Sequence, residues 1–312
     1  MKKVFITCIM LIICAAAFAA FSARQITETD YAMNTVVTIT ARGANAKKSA
    51  DAAFAEIRRI ERMTDAHNPK SELSKLNESA HISPVRVSDE LFSLIELSQT
   101  ISEKTDGAFD ITVFPATELW KITSDNPRVP SDSEISAAAD KIGYQNIVLD
   151  SAEKTVYYKK EGMKTDLGAV AKGYAADRAA EKIRKSGTKN ALLDLGGNIY
   201  ALGKNSGGKK WNIGLQAPWK SRGEYFKTIQ ISDESAVTAG AYERYFEKNG
   251  IIYHHIFNPK TGMPAESDIQ SATVCGKSSA ICDALATAVF VGGKEMAETV
   301  MDEFKDYTVI VY

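Results

Sequence analysis

Lys164-Thr165-Asp166-Leu167-Gly168-Ala169-Val170-Ala171-Lys172-Gly173-Tyr174-Ala175-Ala176-Asp177 runs from a strand-like end through a Gly turn into an Ala-rich amphipathic helix that ends at Ser186-Gly187. The segments after that helix decide the fold class. Short β-branched and apolar runs follow one another at residues 191–195, 199–202, 211–216, 228–231, 252–257 and 271–274. Two helices, 279–291 and 294–304, and a last strand, 307–312, close the chain, with Ser278 as a cap and Gly292-Gly293 as the stop between the helices. Strands grouped this way, with helices interspersed irregularly, predict an α+β protein. Its sheets are mixed or antiparallel with flanking helices, not a doubly wound parallel sheet.

The upstream half fits that class. Val36-Val37-Thr38-Ile39-Thr40 is a β-branched strand, and Ala50, Phe54, Ile57, Ile60 and Met63 recur at helical spacing over residues 46–64. Ser88 with Asp89-Glu90 starts a second helix carrying Leu91, Leu94, Ile95 and Ile101. Ser131 and Glu134 form a capping box before a helix that ends at Gly143. Residues 146–150 and 155–159 read as a hairpin. Residues 121–130 and 203–210, rich in Pro and Gly, read as exposed loops. No repeat or low-complexity stretch interrupts the pattern.

Three parts are expected: a leader over residues 1–23, a short polar linker over 24–30, and one folded domain over 31–312. Lys2-Lys3 precede an apolar run over 4–21 that ends in small residues, the layout of a secretory signal. The run is near the lower limit for spanning a bilayer, so a cleaved signal and a retained anchor both fit. Either way the chain is expected to be exported, to the outer face of the cell membrane or a periplasm-like space. Leu11-Ile12-Ile13-Cys14 resembles a lipoprotein site, with Ile13 where a small residue is usual. The remainder is ordinary globular material, 45% hydrophobic and 25% charged. A formal net charge of −1 implies no general attraction to nucleic acid or anionic membrane. Cys275 and Cys282 lack metal or redox spacing and read as buried thiols.

Two clusters carry chemistry. Lys164, Asp166, Lys172 and Asp177 crowd the turn that opens the Ala-rich helix. Helix-start N–H groups with lysines beside them can hold phosphate oxygens, although the same residues would also make a well-capped helix. Neither GxxxxGK[ST] nor GxGxxG occurs there. The second cluster is Ser278-Ser279-Ala280-Ile281-Cys282-Asp283-Ala284-Leu285-Ala286-Thr287-Ala288-Val289-Phe290. So apolar a helix must be buried, and Asp283 and Thr287 stand one turn apart on one face of it. A buried carboxylate needs a partner or a metal, and a carboxylate with a hydroxyl suits Mg²⁺ rather than zinc. The alternative is an Asp that caps a neighbouring loop and a Thr that bonds back to its own helix. His254-His255 cannot easily share one ion, because adjacent strand residues face opposite ways. One belongs in the site and one outside; His255 is the candidate general base, or else makes a structural hydrogen bond.

Further segments join these clusters in order. They are Met33-Asn34-Thr35, Ser71-Glu72-Leu73-Ser74-Lys75-Leu76-Asn77, Gly107-Ala108-Phe109-Asp110-Ile111-Thr112 with Pro115 and Leu119-Trp120, and Leu192-Leu193-Asp194-Leu195-Gly196-Gly197-Asn198. Val237-Thr238-Ala239-Gly240-Ala241-Tyr242-Glu243-Arg244 and His254-His255-Ile256-Phe257-Asn258-Pro259-Lys260-Thr261-Gly262-Met263-Pro264 complete the set. Over residues 28–312 it resembles the FAD:protein FMN transferase family, the thiamine-biosynthesis-lipoprotein-like flavin transferases.

The resemblance implies a flavin-transferase-type fold, with 31–312 as the catalytic domain. It also implies Mg²⁺-dependent transfer of the FMN half of FAD to a Ser or Thr hydroxyl of a partner protein, with AMP leaving. Phosphoryl chemistry of this sort needs a metal on the pyrophosphate, positive groups for developing charge and a positioned nucleophile. By the matching positions, Asp283, Thr287 and the carbonyl of Ala169 would hold the metal. Ala286 stands where some relatives carry an additional acid. FAD would be bound by Met33, Ala108, Phe109, Asp110, Asp166, Lys172, Ile256 and Phe257, with Asp283 and His255 as catalytic residues. Each has a structural reading too: Phe109 as core, Asp110 as a turn residue, Met33 as a gap-filler, Lys172 as a solvated side chain. His67 falls where many relatives carry a Tyr over the flavin, and a smaller imidazole admits water. Glu243-Arg244 reads as an ion pair holding the Tyr242 turn, and Leu195-Gly196-Gly197-Asn198 as a tight turn that a phosphate or adenine can approach. The implied acceptor is a flavin-carrying subunit of a membrane redox complex, or an exported reductase, with its Thr or Ser in a Gly-rich motif. Two other functions fit the same pocket: a Mg²⁺-dependent FAD pyrophosphatase giving FMN and AMP, and an exported flavin-binding protein without turnover, which would not need Asp283.

Overall fold

The computed structural model describes residues 25–312, so the leader expected over 1–23, with Cys8 and Cys14, lies outside the described residues. In chain order the first half holds β1 (Gln25–Ala32), β2 (Thr35–Arg42), α1 (Ala46–Thr64), α2 (Glu72–Ser79), β3 (Val85–Arg86), α3 (Asp89–Lys104), α4 (Phe114–Trp120), α5 (Asp132–Ala139), β4 (Ile147–Asp150) and β5 (Thr155–Tyr158). The second half holds α6 (Gly168–Lys185), β6 (Asn190–Leu195), β7 (Asn198–Leu202), β8 (Trp211–Gln216), β9 (Tyr225–Ile231), β10 (Glu234–Gly240), β11 (Tyr245–Lys248) and β12 (Ile251–His254). It ends with β13 (Phe257–Asn258), β14 (Met263–Pro264), β15 (Ser271–Gly276), α7 (Ser279–Glu303) and β16 (Thr308–Val311).

A seven-stranded sheet in the order β1-β2-β6-β7-β10-β15-β16 organises the molecule, and all its neighbours are antiparallel. The α+β class read from the sequence is the one observed. Strand β6 shows how the two faces are served. Ala191, Leu193 and Leu195 point into the main core with α1, α6 and α7, while Leu192 joins Ile213, Leu215 and Ile231 under the β8–β9 hairpin. That period of two is what lets an antiparallel sheet separate its faces. On the helical side, Ile57 and Ile60 of α1 are fully buried, each contributing roughly 1.5–3 kcal/mol over an exposed position. The Ala171, Ala175, Ala176, Ala179 and Ala180 side of α6 is small enough to sit between α1 and α7. A smaller cluster around Trp120 joins α4, α5 and the β11–β12 hairpin.

Several expectations need correction. Within the linker expected over 24–30, residues 25–30 belong instead to edge strand β1, which is paired with β2 along its whole length. Its polar composition hides it: Thr27 and Thr29 bond across to Thr40 and Thr38, while Glu28 and Asp30 pair with Lys47 and Arg58 of α1. Residues 234–240 and 245–248 form strands β10 and β11, which local pattern did not mark. The expected strand over 252–257 breaks at His255-Ile256, between β12 and β13. The helix after Ser131 stops at Ala139, before Gly143. The two C-terminal helices merge into α7 across a break at Gly293, whose φ of 66° and ψ of −149° are non-helical. Asp268 accepts from Lys294 N there, restarting the helix. Cys282 is buried, Cys275 half-buried, and both are unbridged. No helix of the described residues is long and apolar enough to cross a membrane.

Candidate active site

The site is built where α6 crosses α7. A Cβ at Gly173 would stand 2.2 Å from the Ser279 carbonyl oxygen, so the helices meet there only because residue 173 has no side chain. The contact lets the Gly173 N–H donate to Asp283 Oδ2 at 2.9 Å. Lys172 Nζ lies 3.4 Å from Asp283 Oδ1 and donates to the Gly168 carbonyl at 3.1 Å. Thr287 Oγ1 donates back to the Asp283 carbonyl at 3.2 Å. Thus Thr287 bonds back to its own helix as the structural alternative had it, whereas Asp283 caps no loop but takes its donor from inside α6, and both side chains also face a cavity. Asp177, the other acid of the opening stretch, serves the crossing itself. Its oxygens accept from Ser279 N, Ala280 N and Ser278 Oγ and so cap α7, and burial pushes its carboxyl above the usual range.

The turn that opens α6 is fixed from behind. Asn77 donates to the Thr165 carbonyl and accepts the Thr165 N–H, both at 2.8 Å, and Tyr158 Oη meets Thr165 Oγ1 at 2.8 Å. All three residues are buried. The neighbouring Asp166 N–H donates to the Ile111 carbonyl, and Asp166 Oδ1 accepts from Gly168 N. Burial raises the Asp166 carboxyl against the opposing charges of His67 and Lys172. Sequence reasoning quoted Asn77 within a motif but gave it no role. Its two-point pairing with a backbone 88 residues away has no local signal.

The 108–110 segment forms a wall. Phe109 is 1% exposed and belongs to the main core, as its structural reading had it, while also bordering the cavity. Asp110 accepts from Thr112 N, Thr112 Oγ1 and Tyr144 N and is a turn residue; burial raises its carboxyl. Met33 and Asn34 form the β1–β2 turn with φ of 52° and 56°. The Met33 N–H donates to Glu61 Oε1 at 2.6 Å. His67 is exposed, with its ring 5.1 Å from that of Phe114.

The break between β12 and β13 separates the two histidines. His254 meets the Ala265 carbonyl through Nε2 at 2.9 Å and accepts the Ile256 N–H at Nδ1, outside the cavity. His255 faces the cavity, with its backbone N–H and Nδ1 both on the Arg244 carbonyl at 3.1 and 3.2 Å. A carbonyl only accepts, so Nδ1 carries the proton and Nε2 keeps its lone pair. Burial, then the Arg244 charge, hold this imidazole down to about 3. Glu243 and Arg244 do not pair as expected; Arg244 donates instead to the Asn34 carbonyl at 2.7 Å, tying its turn to the β1–β2 turn.

A cavity of about 540 Å³ receives every sequence-expected site residue: Met33, His67, Ala108, Phe109, Asp110, Asp166, Ala169, Lys172, His255, Ile256, Phe257, Asp283 and Thr287. Gly196, Arg222 and Glu243 also line it. The ApbE family model matches residues 33–311. An FAD:protein FMN transferase of Treponema pallidum (strain Nichols) is 35% identical over 264 residues, 80% of this chain and 73% of that one. One from Klebsiella pneumoniae (strain 342) is 33% identical over 261 residues, 84% and 81% of the two chains. The crystal structure of the ApbE protein of Thermotoga maritima MSB8 superposes with a TM-score of 0.85 at 34% identity, covering 92% of this chain and 94% of that one. The flavin transferase ApbE of Vibrio cholerae gives 0.83 at 26% identity, covering 93% of each. Matched from the β1–β2 turn to the last strand, the chain belongs to the ApbE family.

Proposed function

We propose that this chain transfers the FMN half of FAD to a hydroxyl of an acceptor protein and releases AMP. One observation carries the reading: the expected site residues, from six separate stretches, meet around a single cavity of about 540 Å³, with Asp283, Lys172 and the first turn of α6 joined by hydrogen bonds. That volume is within the usual range for small-molecule and cofactor sites.

The donor set at α6 and α7 fits Mg²⁺. One buried carboxylate, a Thr hydroxyl a turn later and the Ala169 carbonyl are hard oxygens that leave room for phosphate and water. Bound there, the metal would offset charge on the pyrophosphate and the departing AMP. Lys172, anchored on Gly168, adds a positive group for a phosphate oxygen. Asp166 is an acceptor for N–H or hydroxyl groups of FAD, while Met33, Ala108, Ile256 and Phe257 supply apolar wall. His255, neutral at physiological pH, leaves Nε2 free to accept the hydrogen bond of an incoming hydroxyl.

The nucleophile must lie about 3 Å from phosphorus and in line with the AMP oxygen. A Thr or Ser in an extended, Gly-flanked loop reaches such a depth without clashes. The acceptor is then a flavin-carrying subunit of a membrane redox complex or an exported reductase, met outside the cytoplasm; the basic and apolar leader supports export. The test is incubation with FAD, Mg²⁺ and an acceptor domain bearing one such Thr, with in-gel flavin fluorescence and AMP release followed together. Labelling of the Thr form and not of its Thr→Ala form is expected. Flavin on Cys or His, or equal labelling of both forms, would sink the phosphoester mechanism. N-terminal sequencing after cell fractionation tests the leader.

One observation favours a second reading, hydrolysis of FAD to FMN and AMP. His67 lines the cavity with an exposed imidazole that leaves space for water. AMP release without acceptor measures that activity.

A further inference from the structure

Three aromatic side chains cluster beside the cavity, on two neighbouring connections. Trp219 belongs to the loop between β8 and β9; Tyr242 lies in the β10–β11 turn and Tyr245 starts β11. The Trp219 ring packs edge-on against both tyrosines, with centroids 6.2 Å from Tyr242 and 5.3 Å from Tyr245. Trp219 and Tyr245 still stand 44% and 46% exposed, and neither lines the cavity. Tyr242 joins them to it. Its ring lies over Gly240, where a Cβ would stand 2.5 Å from Cε1, and Gly240 lines the cavity together with Arg222 of the Trp219 loop. The bond from Arg244 to the Asn34 carbonyl sets the β1–β2 hairpin beside the same turn. That hairpin adds Tyr31 and Val36, a directly opposed, exposed pair that borders the cavity. Apolar surface therefore continues from outside the cavity to its mouth.

The way Trp219 is displayed sets it apart from a stray surface ring. Its φ of 60° is left-handed, a conformation that bulky L residues rarely adopt. Gln216 holds the loop in shape: Nε2 donates to the Ser221 carbonyl at 3.0 Å, and Oε1 accepts from Gly223 N at 3.1 Å. Strained backbone of this kind persists where the surrounding structure enforces it, and it gathers at clamps for ligands and partners. Contiguous exposed apolar surface marks interaction sites, and Trp and Tyr are the residues that anchor them. The reaction proposed above names the occupant. A protein hydroxyl enters the cavity only if the chain on both sides of it crosses the mouth. There it meets ring faces together with indole N–H and phenol O–H donors, which suit apolar side chains and the carbonyls of an extended backbone. Carboxylates beside the hydroxyl would be repelled by the negative ring faces.

We propose that Trp219, Tyr242 and Tyr245 form the docking surface for the acceptor protein, seating an extended segment whose residues beside the acceptor Thr or Ser are apolar. The surface rests on the transferase reading. It acts on capture of the acceptor and not on FAD, because Trp219 and Tyr245 lie outside the cavity.

The test uses the full-length chain with FAD, Mg²⁺ and two acceptor domains, each presenting one Thr in a Gly-flanked loop. One acceptor carries leucine on either side of that stretch, and the other carries aspartate there. Labelling rate is followed against acceptor concentration, and FAD affinity by flavin fluorescence. Trp219→Ala and Tyr245→Ala should each raise KM for the leucine acceptor about tenfold or more, the loss of one interface anchor. The values of kcat and FAD affinity should stay those of the wild type, and Trp219→Phe should recover most of the loss. Exchanging leucine for aspartate should raise KM against the wild type and far less against Trp219→Ala. An unchanged KM, an FAD affinity that falls by the same factor, or a lowered kcat with KM intact each overturns the surface. So does self-association of the wild type, or its sedimentation with phosphatidylcholine–phosphatidylglycerol vesicles, that Trp219→Ala abolishes; the surface would then belong to a second copy or to a membrane. Absence of labelling by the wild type instead overturns the transferase reading, and the docking surface with it.

Discussion

The backbone N–H of Gly173 on α6 donates to Oδ2 of Asp283 on α7 at 2.9 Å, across 110 residues of chain. The carboxylate is aimed by the crossing of two helices, not by its own helix alone. Helix packing and site geometry are therefore coupled at this bond.

Gly173→Ala tests that coupling. A Cβ there would lie 2.2 Å from the Ser279 carbonyl oxygen, which is backbone and cannot swing aside. The helices must separate, costing about 1–3 kcal/mol or more, and Asp283 moves with them. A lowered urea midpoint together with lost AMP release is the expected pair. Full activity in this variant would show that the crossing does not position Asp283.

Asp283→Asn separates charge from shape. The amide oxygen can still accept from Gly173 N, so stability should hold within about 1 kcal/mol while metal-dependent turnover is lost. Asp283→Ala should lose turnover too, and about 1–3 kcal/mol besides, because the buried Gly173 N–H is left without its carboxylate partner. EDTA should silence the wild type. Turnover that survives EDTA or Asp283→Asn would remove the metal assignment.

His255 predicts a pH dependence of stability. Its folded value, about 3, is below the ordinary 6.5, so the unfolded chain binds this proton first as pH falls. Above about pH 6.5 neither state is protonated there and nothing is lost. Between 6.5 and 3 the folded state loses stability progressively relative to the unfolded chain. Raised groups such as Asp110 and Asp177 act in the opposite direction, so the comparison must be wild type against His255→Asn. The stability gap should shift in favour of His255→Asn as pH drops from 6.5 towards 4, read by chemical denaturation. Parallel curves would mean that the folded imidazole titrates normally.

His67→Tyr addresses the partition between protein and water as nucleophiles. The exposed imidazole leans on Phe114 with a 5.1 Å ring separation, and a larger ring there would exclude more water. FAD hydrolysis should fall relative to labelling of the acceptor. An unchanged ratio of AMP released to flavin attached would mean that another residue covers the flavin.

Much of the site was legible because its residues sit in distinctive short stretches. Asp283 and Thr287 stand out as polar residues in an apolar helix, and the Lys172 helix announces itself by its Gly turn. Strand parity set His255 apart from His254, but the physical reason is different: the strand ends at His254, and His255 lies in the break before β13. Glu243 was misread as half of an ion pair, because adjacency in sequence says nothing about a guanidinium that reaches Asn34 instead. Asn77 and Tyr158 escaped notice for a similar reason: their partner Thr165 is set by packing of α2 and β5 against a distant loop.

By itself the sequence determined the elements whose signals are local. The apolar face of α1, the caps at Ser88 and Ser278, the Ser131 capping box and the β4–β5 hairpin all depend on neighbours within a few residues. It also singled out the side chains that the fold gathers around one cavity. Tertiary structure alone decided that polar β1 is a strand, that β10 lies between β7 and β15, and that Asp177 caps a helix while Asp283 faces the cavity. These outcomes depend on partners far apart along the chain. A strand edge or a carboxylate takes its role from whichever backbone folding brings within about 3 Å, and composition does not name that partner.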